Sequence, residues 1–138
     1  MARWTCPACE REFGRARQGH TCRPGGSVDE TFEQAPAEQR AIYDAIVHHV
    51  RSIGPVHEDA VDVGVFLKSD RKLAEIRPHP RSLELALYLP FRVEGGRIRR
   101  VVSVGEGRHV HLLTLRQVGD VDEQVRDWLT LAFLAASD

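Results

Sequence analysis

Apolar residues between Pro36 and Gly54 recur at helical spacing. They follow one another every three to four positions, at Ala41, Ile42, Ala45, Ile46, Val50 and Ile53. This spacing places them on one face of an α-helix. Pro36 suits a first turn, because its missing N–H would have no intrahelical partner there, and Gly54-Pro55 ends a helix. The pattern predicts an amphipathic helix over residues 36–53.

From residue 61 the apolar period changes from helical to two, which is typical of β-strands. The predicted strands cover residues 61–68, 73–77, 83–89, 98–104 and 108–116. Turn sequences rich in Gly, Pro, Ser and Asp separate them. Parallel strands need connections of about a dozen residues or more, so links this short predict an antiparallel sheet of about five strands.

A second helix is predicted near the end of the chain. Asp120-Val121-Asp122-Glu123 has the form of a capping box. Apolar residues follow at helical spacing, at Val125, Trp128, Leu129, Ala132 and Phe133. With both helices on one face of the sheet, residues 36–138 are predicted to form an α+β domain.

The N-terminal stretch "WTCPACEREFGRARQGHTC" contains all three cysteines of the chain. Its spacing is Cys6-x2-Cys9-x10-His20-x-Cys22, and the Cys-x2-Cys turn can direct two thiolates at one ion. Residues i and i+2 share a face only on an extended segment, so His20 and Cys22 are expected on a strand or loop. This geometry differs from that of the zinc finger that reads DNA with a helix.

Three thiolates and one imidazole favour a closed, tetrahedral, structural zinc site. About 25 residues bury too little apolar surface to fold alone, and zinc binding would supply the missing free energy. Trp4 and Phe13 are expected to pack beside the metal. The alternatives are unliganded cysteines on a tail and a catalytic Cys–His pair; an odd cysteine count disfavours disulfides. We therefore predict a zinc-binding module over residues 1–25. Residues 26–35 contain Gly26, Ser27 and several acidic residues, which predicts a linker there.

Charge is distributed unevenly along the chain. The 138 residues carry a formal net charge of −1. Residues 1–25 contain five arginines and two glutamates, which leaves them at +3 and the remainder at −4. No apolar run approaches the roughly 18 residues that span a bilayer, and no secretory signal opens the sequence. We expect a cytoplasmic protein without membrane association.

Arginines are frequent on and beside the predicted strands. If both helices cover one face of the sheet, the other would present these side chains to phosphate groups or to an acidic partner. The alternative is an ordinary solvated face balanced by Glu84, Glu94 and Glu106. The candidate contact residues, on the head and on the sheet, are Arg3, Arg11, Arg15, Arg17, Arg99 and Arg108.

Histidines suggest a second site. His109 and His111 lie two residues apart on a predicted strand, and His57 follows the Gly54-Pro55 turn. They could bind a metal or a small ligand, or they could be hydrogen-bonded histidines at the edge of the core. Phosphate-loop, nucleophile-elbow and zinc-protease motifs are missing. We therefore expect a non-enzymatic module that binds nucleic acid or a protein, and the alternative is a ligand- or metal-handling domain or an enzyme.

The whole pattern resembles a known bacterial family. The segments that carry the resemblance are the cysteine motif, "IYDAIVHHVRSIGPVHEDAVDVGVFLK", "SLELALYL", "GRHVHLLTL" and "DVDEQVRDWLTLAF". They resemble domain of unknown function 5655, some members of which carry a similar zinc motif in front. The resemblance implies an α+β fold and a zinc ion, but no substrate. The chain departs from the family at Glu10, where a glycine would be expected. The body is more distantly similar to frataxin-like domains, at the level of the fold only.

Overall fold

The computed structural model describes residues 3–7, 12–15, 17 and 26–137. The described strands are β1 (Trp4–Thr5), β2 (Glu12–Phe13), β3 (His57–Val61), β4 (Gly64–Lys68), β5 (Lys72–Pro78), β6 (Leu83–Leu89), β7 (Ile98–Gly105) and β8 (Arg108–Leu115). The described α-helices are α1 (Val28–Phe32), α2 (Ala37–Ile53) and α3 (Glu123–Ala136), and a 3-10 turn covers Val118–Asp120. Within this described part, no helix is both long enough and apolar enough to cross a membrane.

The main sheet has the strand order β3-β4-β5-β6-β8-β7, and every neighbouring pair is antiparallel. The predicted α+β class with an antiparallel sheet is confirmed. The predicted count of about five strands is corrected to six, because residues 57–68 form a hairpin that turns at Asp62-Val63. β3 escaped prediction because its sequence, "HEDAV", lacks alternation of apolar and polar residues.

Gly64 allows this hairpin to pair with β5. A Cβ atom at Gly64 would lie 2.2 Å from the carbonyl oxygen of Ile76. Only glycine permits so close an approach of two backbones. The pairing of β4 with β5 therefore depends on a residue without a side chain at position 64.

The core lies between the sheet and the helices. In register across the sheet, Ala60, Val65, Ile76, Leu85, Leu113 and Ile98 form one row that faces them. These side chains form one apolar cluster with buried residues of α2 and α3, among them Ile46 and Leu129. Ala86 and Val110 point to the opposite face and lie outside that cluster. The described α-helices thus cover one face of the sheet.

Part of the segment predicted as a linker is folded. Ser27 caps α1 by accepting a hydrogen bond from the Glu30 amide at 3.0 Å. Phe32 is buried in the main core, with its ring centroid 5.0 Å from that of Tyr43. Residues 28–32 therefore contribute to the α+β domain.

Candidate functional site

The face of the sheet opposite the helices carries Ala86 and Leu112 among charged and aromatic side chains. In register, Phe66, Glu75, Ala86, Leu112 and Arg100 form the row that points away from the helices. Among residues 26–137, no helix packs over this row. The helices of this part of the chain therefore leave the row uncovered.

Cationic side chains outnumber carboxylates on this face. We call it the basic sheet face and define it by Lys72, Glu75, Arg77, Glu84, Tyr88, Arg99, Arg100 and Arg108. Five cations against two carboxylates leave a surplus of three positive charges. Two predicted contact residues, Arg99 and Arg108, lie on it.

Lys72 belongs to this face but was missed at the level of the sequence. The β4–β5 pairing has a register shift between Leu67 and Lys68, and it brings Lys72 opposite Lys68. An extra residue of this kind rotates the following side chains relative to simple alternation. No pattern of apolar residues reveals such a bulge, although the charge of "SDRK" marks the turn.

Glu75 is the acceptor at the centre of the basic sheet face. It accepts hydrogen bonds from the Tyr88 hydroxyl at 2.5 Å, from Arg77 at 3.1 Å and from Lys72 at 3.4 Å. Burial alone would raise the pKa of the Glu75 carboxyl, but the bond from Tyr88 and the charges of Lys72 and Arg77 hold it below its ordinary value. Burial and the bond to Glu75 raise the pKa of Tyr88. Glu75 is therefore ionised and Tyr88 neutral at pH 7.

The aromatic rings of this face are already in contact with cations. Lys72 Nζ lies 4.1 Å from the centroid of the Phe66 ring, and the Arg108 guanidinium lies 4.7 Å from that of Tyr88. Cations over ring faces are attracted by the π-electrons. Rings occupied in this way offer little surface for stacking a nucleotide base. The face is thus suited to charged groups more than to bases.

Arg97 has a different role from its neighbour Arg99. Its guanidinium lies 3.0 Å from Asp120 and 3.1 Å from Asp122, at the start of α3. Arg99 instead lies 3.1 Å from Glu84 on the basic sheet face. The β-bulge between Ile98 and Arg100 separates the two. Strict alternation along the strand would place Arg97 and Arg99 on the same face, but with the bulge they contact different carboxylates.

The N-terminal hairpin lies against the corner of the sheet formed by β3 and β4. Trp4 and Phe13 pack with ring centroids 6.0 Å apart, and buried Cys6 joins them in one cluster. Lys68 Nζ lies 5.0 Å from the Phe13 centroid and 2.8 Å from Asp59. The head therefore contacts the body through specific side chains.

Most of the predicted zinc site lies outside the described residues. Cys6 is described, whereas Cys9, His20 and Cys22 are not. The part of the chain that is described holds no group of three or more His, Cys, Asp or Glu residues arranged to bind a metal. Because three of the four expected ligands lie outside that part, zinc binding stays a prediction. Of the predicted contact arginines, Arg11 also lies outside, Arg15 and Arg17 are exposed, and Arg3 donates to the Ser69 carbonyl.

His109 and His111 face the helix side of the sheet, opposite Leu89 and Leu87. His111 is fully buried; its Nε2 accepts from the Val93 amide at 2.9 Å. Its Nδ1 therefore carries the proton and donates to the His109 carbonyl at 3.0 Å. Burial lowers the pKa of His111. This imidazole has both nitrogens engaged with the backbone.

The structure does not bring the three candidate histidines together. His57 lies on β3, with its Nδ1 2.8 Å from Glu12 of the hairpin, whereas His109 contacts Ser103 at 2.8 Å. Four strand spacings separate β3 from β8, roughly 19 Å at about 4.8 Å each. One ion or small ligand cannot contact all three side chains in this arrangement.

Comparison with known proteins gives a family. No curated protein and no solved structure matches the chain. A family model described as "Domain of unknown function (DUF5655)" matches residues 28–136, from the start of α1 to the end of α3. The match covers the six-stranded sheet with its helices and excludes the cysteine-rich head. The chain therefore belongs to the DUF5655 family.

Proposed function

We propose that this protein binds the phosphate backbone of nucleic acid through the basic sheet face. The observation that carries the proposal is the surplus of three positive charges on a sheet face that no described helix covers. Open sheets with clustered arginines are suited to phosphate contacts. Because Phe66 and Tyr88 are covered by cations, we propose binding with little dependence on base sequence.

The helix side of the domain carries the opposite charge. Within the bounds of α1, α2 and α3 there are six carboxylates and three arginines, so these helices carry a net charge of −3. A molecule with positive and negative sides orients a polyanion before contact. This asymmetry supports an approach of the phosphate backbone to the sheet side alone.

The ion pairs of the basic sheet face can be exchanged for phosphate contacts. Arg99 and Arg77 pair with Glu84 and Glu75, and both arginine side chains are exposed. Exposed pairs of this kind stabilise a protein by about 0–1 kcal/mol. A bidentate contact between an arginine and a phosphate is stronger than this. Little stability is therefore sacrificed when these arginines turn to a nucleic acid.

We further propose that Cys6, Cys9, His20 and Cys22 bind one structural zinc ion. The burial of Cys6 beside Trp4 and Phe13 supports an ordered ligand position. The folded head would present Arg15 and Arg17, whose side chains are exposed, near the sheet. Reduced thiols suit the cytoplasm, which we propose as the location of the protein. Native mass spectrometry should find one zinc per chain in the wild type and none in Cys6→Ser. Zinc retained by that variant would contradict the assignment.

The test of the main proposal compares two double variants that remove the same charge. Arg99→Gln/Arg100→Gln alters the basic sheet face, and Arg51→Gln/Arg126→Gln alters the helix side. Fluorescence anisotropy with a labelled single strand of about 20 nucleotides, and with its duplex, measures Kd. The sheet variant should bind about tenfold more weakly than the wild type. This corresponds to about 1.4 kcal/mol, shared between the two arginine–phosphate contacts that the substitutions remove.

The control variant should bind within about twofold of the wild type, since neither of its arginines lies on the proposed phosphate-binding face. Equally weakened binding in both variants would show that net charge alone sets the affinity. Equal affinity for poly-glutamate of matched charge would indicate an acidic protein partner instead. Either result, or the absence of binding at low salt, would contradict the proposal.

A further inference from the structure

A small cleft at one end of the basic sheet face is lined by cations. Its volume is about 240 Å³, and it lies where β5 begins, β6 ends and the β7–β8 turn closes. Its charged lining residues are Arg71, Lys72 and Arg108, and Tyr88 forms one wall. No carboxylate side chain lines it among the described residues. The cleft is therefore a more concentrated positive site than the rest of the face.

Arg108 is held in place by neighbouring groups. Its guanidinium lies 4.7 Å from the Tyr88 ring centroid, and one of its N–H groups donates to the Lys72 carbonyl at 3.2 Å. A guanidinium presents five N–H donors, so this bond leaves others for an anion. Preorganised donors bind with a smaller loss of conformational entropy.

Lys72 and Arg71 complete the positive lining. The distance from Lys72 Nζ to Glu75, 3.4 Å, is long for a charge-assisted bond. Arg71 donates from its backbone to Ala136 at 3.0 Å and from its side chain to Ala135 at 2.7 Å. These bonds satisfy carbonyls at the negative end of α3, which would otherwise repel an anion.

The rim of the cleft is open on the side of the β7–β8 turn. Gly107 adopts a φ of +70°, and no atom lies within 4 Å of the position that a Cβ would take. A side chain at this left-handed position would be strained. The turn thus keeps backbone, rather than a side chain, at the entrance.

We infer that this cleft binds a phosphate monoester, such as the terminal phosphate of a nucleic-acid strand. A monoester carries a charge between about −1.5 and −2 at pH 7, compared with −1 for each internal phosphodiester. Three cationic residues in one lining suit the more highly charged group, and arginine and phosphate match in hydrogen-bond geometry. This inference rests on the proposed function and specifies the part of the nucleic acid that the site prefers.

The experiment compares strands with equal total charge but different ends. One carries a 5′-phosphate, and a slightly longer one carries a 5′-hydroxyl, each with a 3′ fluorophore. For the wild type we expect the phosphorylated strand to bind at least about fivefold more tightly, equivalent to about 1 kcal/mol. Arg108→Gln and Lys72→Gln should each remove this preference. Arg100→Gln lies on the same face outside the cleft and should weaken both strands equally.

Equal binding of the two strands by the wild type would overturn the cleft assignment and leave backbone binding intact. If neither strand binds, the proposed function fails, and NMR titration with inorganic phosphate tests the cleft by itself. Shifts at Tyr88, Gly107 and Arg108 would then support a site for a small phosphomonoester. Their absence would overturn it. Thermal unfolding of each variant checks that a missing preference does not reflect a disrupted fold.

Discussion

Four polar side chains are buried among the described residues, Gln39, Asp59, His111 and Asp120. Each has a partner in the structure: Gln39 donates to the His79 carbonyl, and Asp59 pairs with Lys68. The sequence identified His111 as a candidate but left open whether it faces a pocket or the core. The residue type does not decide this, because the answer depends on the Val93 amide, 18 positions earlier. The structural role of each of these four side chains follows from its burial and its hydrogen-bond partners.

His111 should titrate below the ordinary histidine value. Burial disfavours the charged imidazolium, and one ring nitrogen must remain an acceptor for Val93. NMR titration should give a midpoint below about 6.5 and show the Nδ1–H tautomer at neutral pH. At a pH between the lowered pKa of folded His111 and the ordinary value of about 6.5 in the unfolded chain, the unfolded chain binds more protons. The free energy of unfolding therefore decreases as pH falls through about 6.5. A midpoint at or above 6.5 would contradict its buried position.

Asp120 should contribute to stability through its hydrogen bonds. Its carboxylate accepts from the Arg116 amide at 2.8 Å and from Arg97 at 3.0 Å. Asp120→Ala should lower the free energy of unfolding by about 1–3 kcal/mol, measured by urea denaturation. Asp127→Ala, at an exposed position of α3, should change it by less than about 0.5 kcal/mol. Similar losses of stability in the two variants would contradict a stabilising role for the hydrogen bonds of Asp120.

The contribution of Asp120 to the free energy of unfolding should decrease in acid. Burial raises the pKa of Asp120, but the bonds from Arg116, Arg97 and Gln117 together lower it below the ordinary value. A lowered pKa in the folded state means that the stabilisation is present above about pH 3.9 and is lost as pH falls through the lowered value. The difference between wild type and Asp120→Ala should therefore shrink in acid.

At the scale of elements, regular periodicity was predictable and departures from it were not. The apolar patterns of α2 and β6 predicted the correct kind of element at the correct position. Long runs of helical or alternating spacing arise because one face of the element is buried. β3 was missed because its polar residues pair with residues of the N-terminal hairpin and of a helix. His57, for example, contacts Glu12 of that hairpin. The bulge at Leu67/Lys68 was missed because it depends on partner strands. Both features depend on contacts with residues distant in sequence, which the local pattern of apolar and polar residues does not contain.

Gly64→Ala should disrupt the β4–β5 pairing. The new methyl would lie 2.2 Å from the Ile76 carbonyl oxygen, so the strands would have to separate. We expect a loss of at least about 2 kcal/mol in the free energy of unfolding, by urea denaturation. Gly96→Ala is the matched control, since no atom lies within 4 Å of its added Cβ. Equal stability of the two variants would contradict the described register.

At the scale of the whole molecule, charge is separated between two sides. The sequence predicted a basic head and an acidic remainder, but the separation within the body emerges only when the strands are paired. Arg99 and Arg100 are neighbours on one strand, and the bulge directs Arg99 toward Glu84 on the face that also carries Arg100. The hairpin contacts the sheet through Phe13 and Lys68, so any contribution of the head to binding would act beside this surface.

The dependence of nucleic-acid affinity on salt tests the central claim most directly. Kd for a labelled single strand is measured between about 50 and 200 mM salt for the wild type and both double variants. We predict a steep linear fall of log affinity with log salt, with the slope reduced by about one for each arginine–phosphate interaction that Arg99→Gln/Arg100→Gln eliminates. The slope should be unchanged in Arg51→Gln/Arg126→Gln. A flat wild-type line, or equal slopes in all three proteins, would contradict phosphate binding by the basic sheet face.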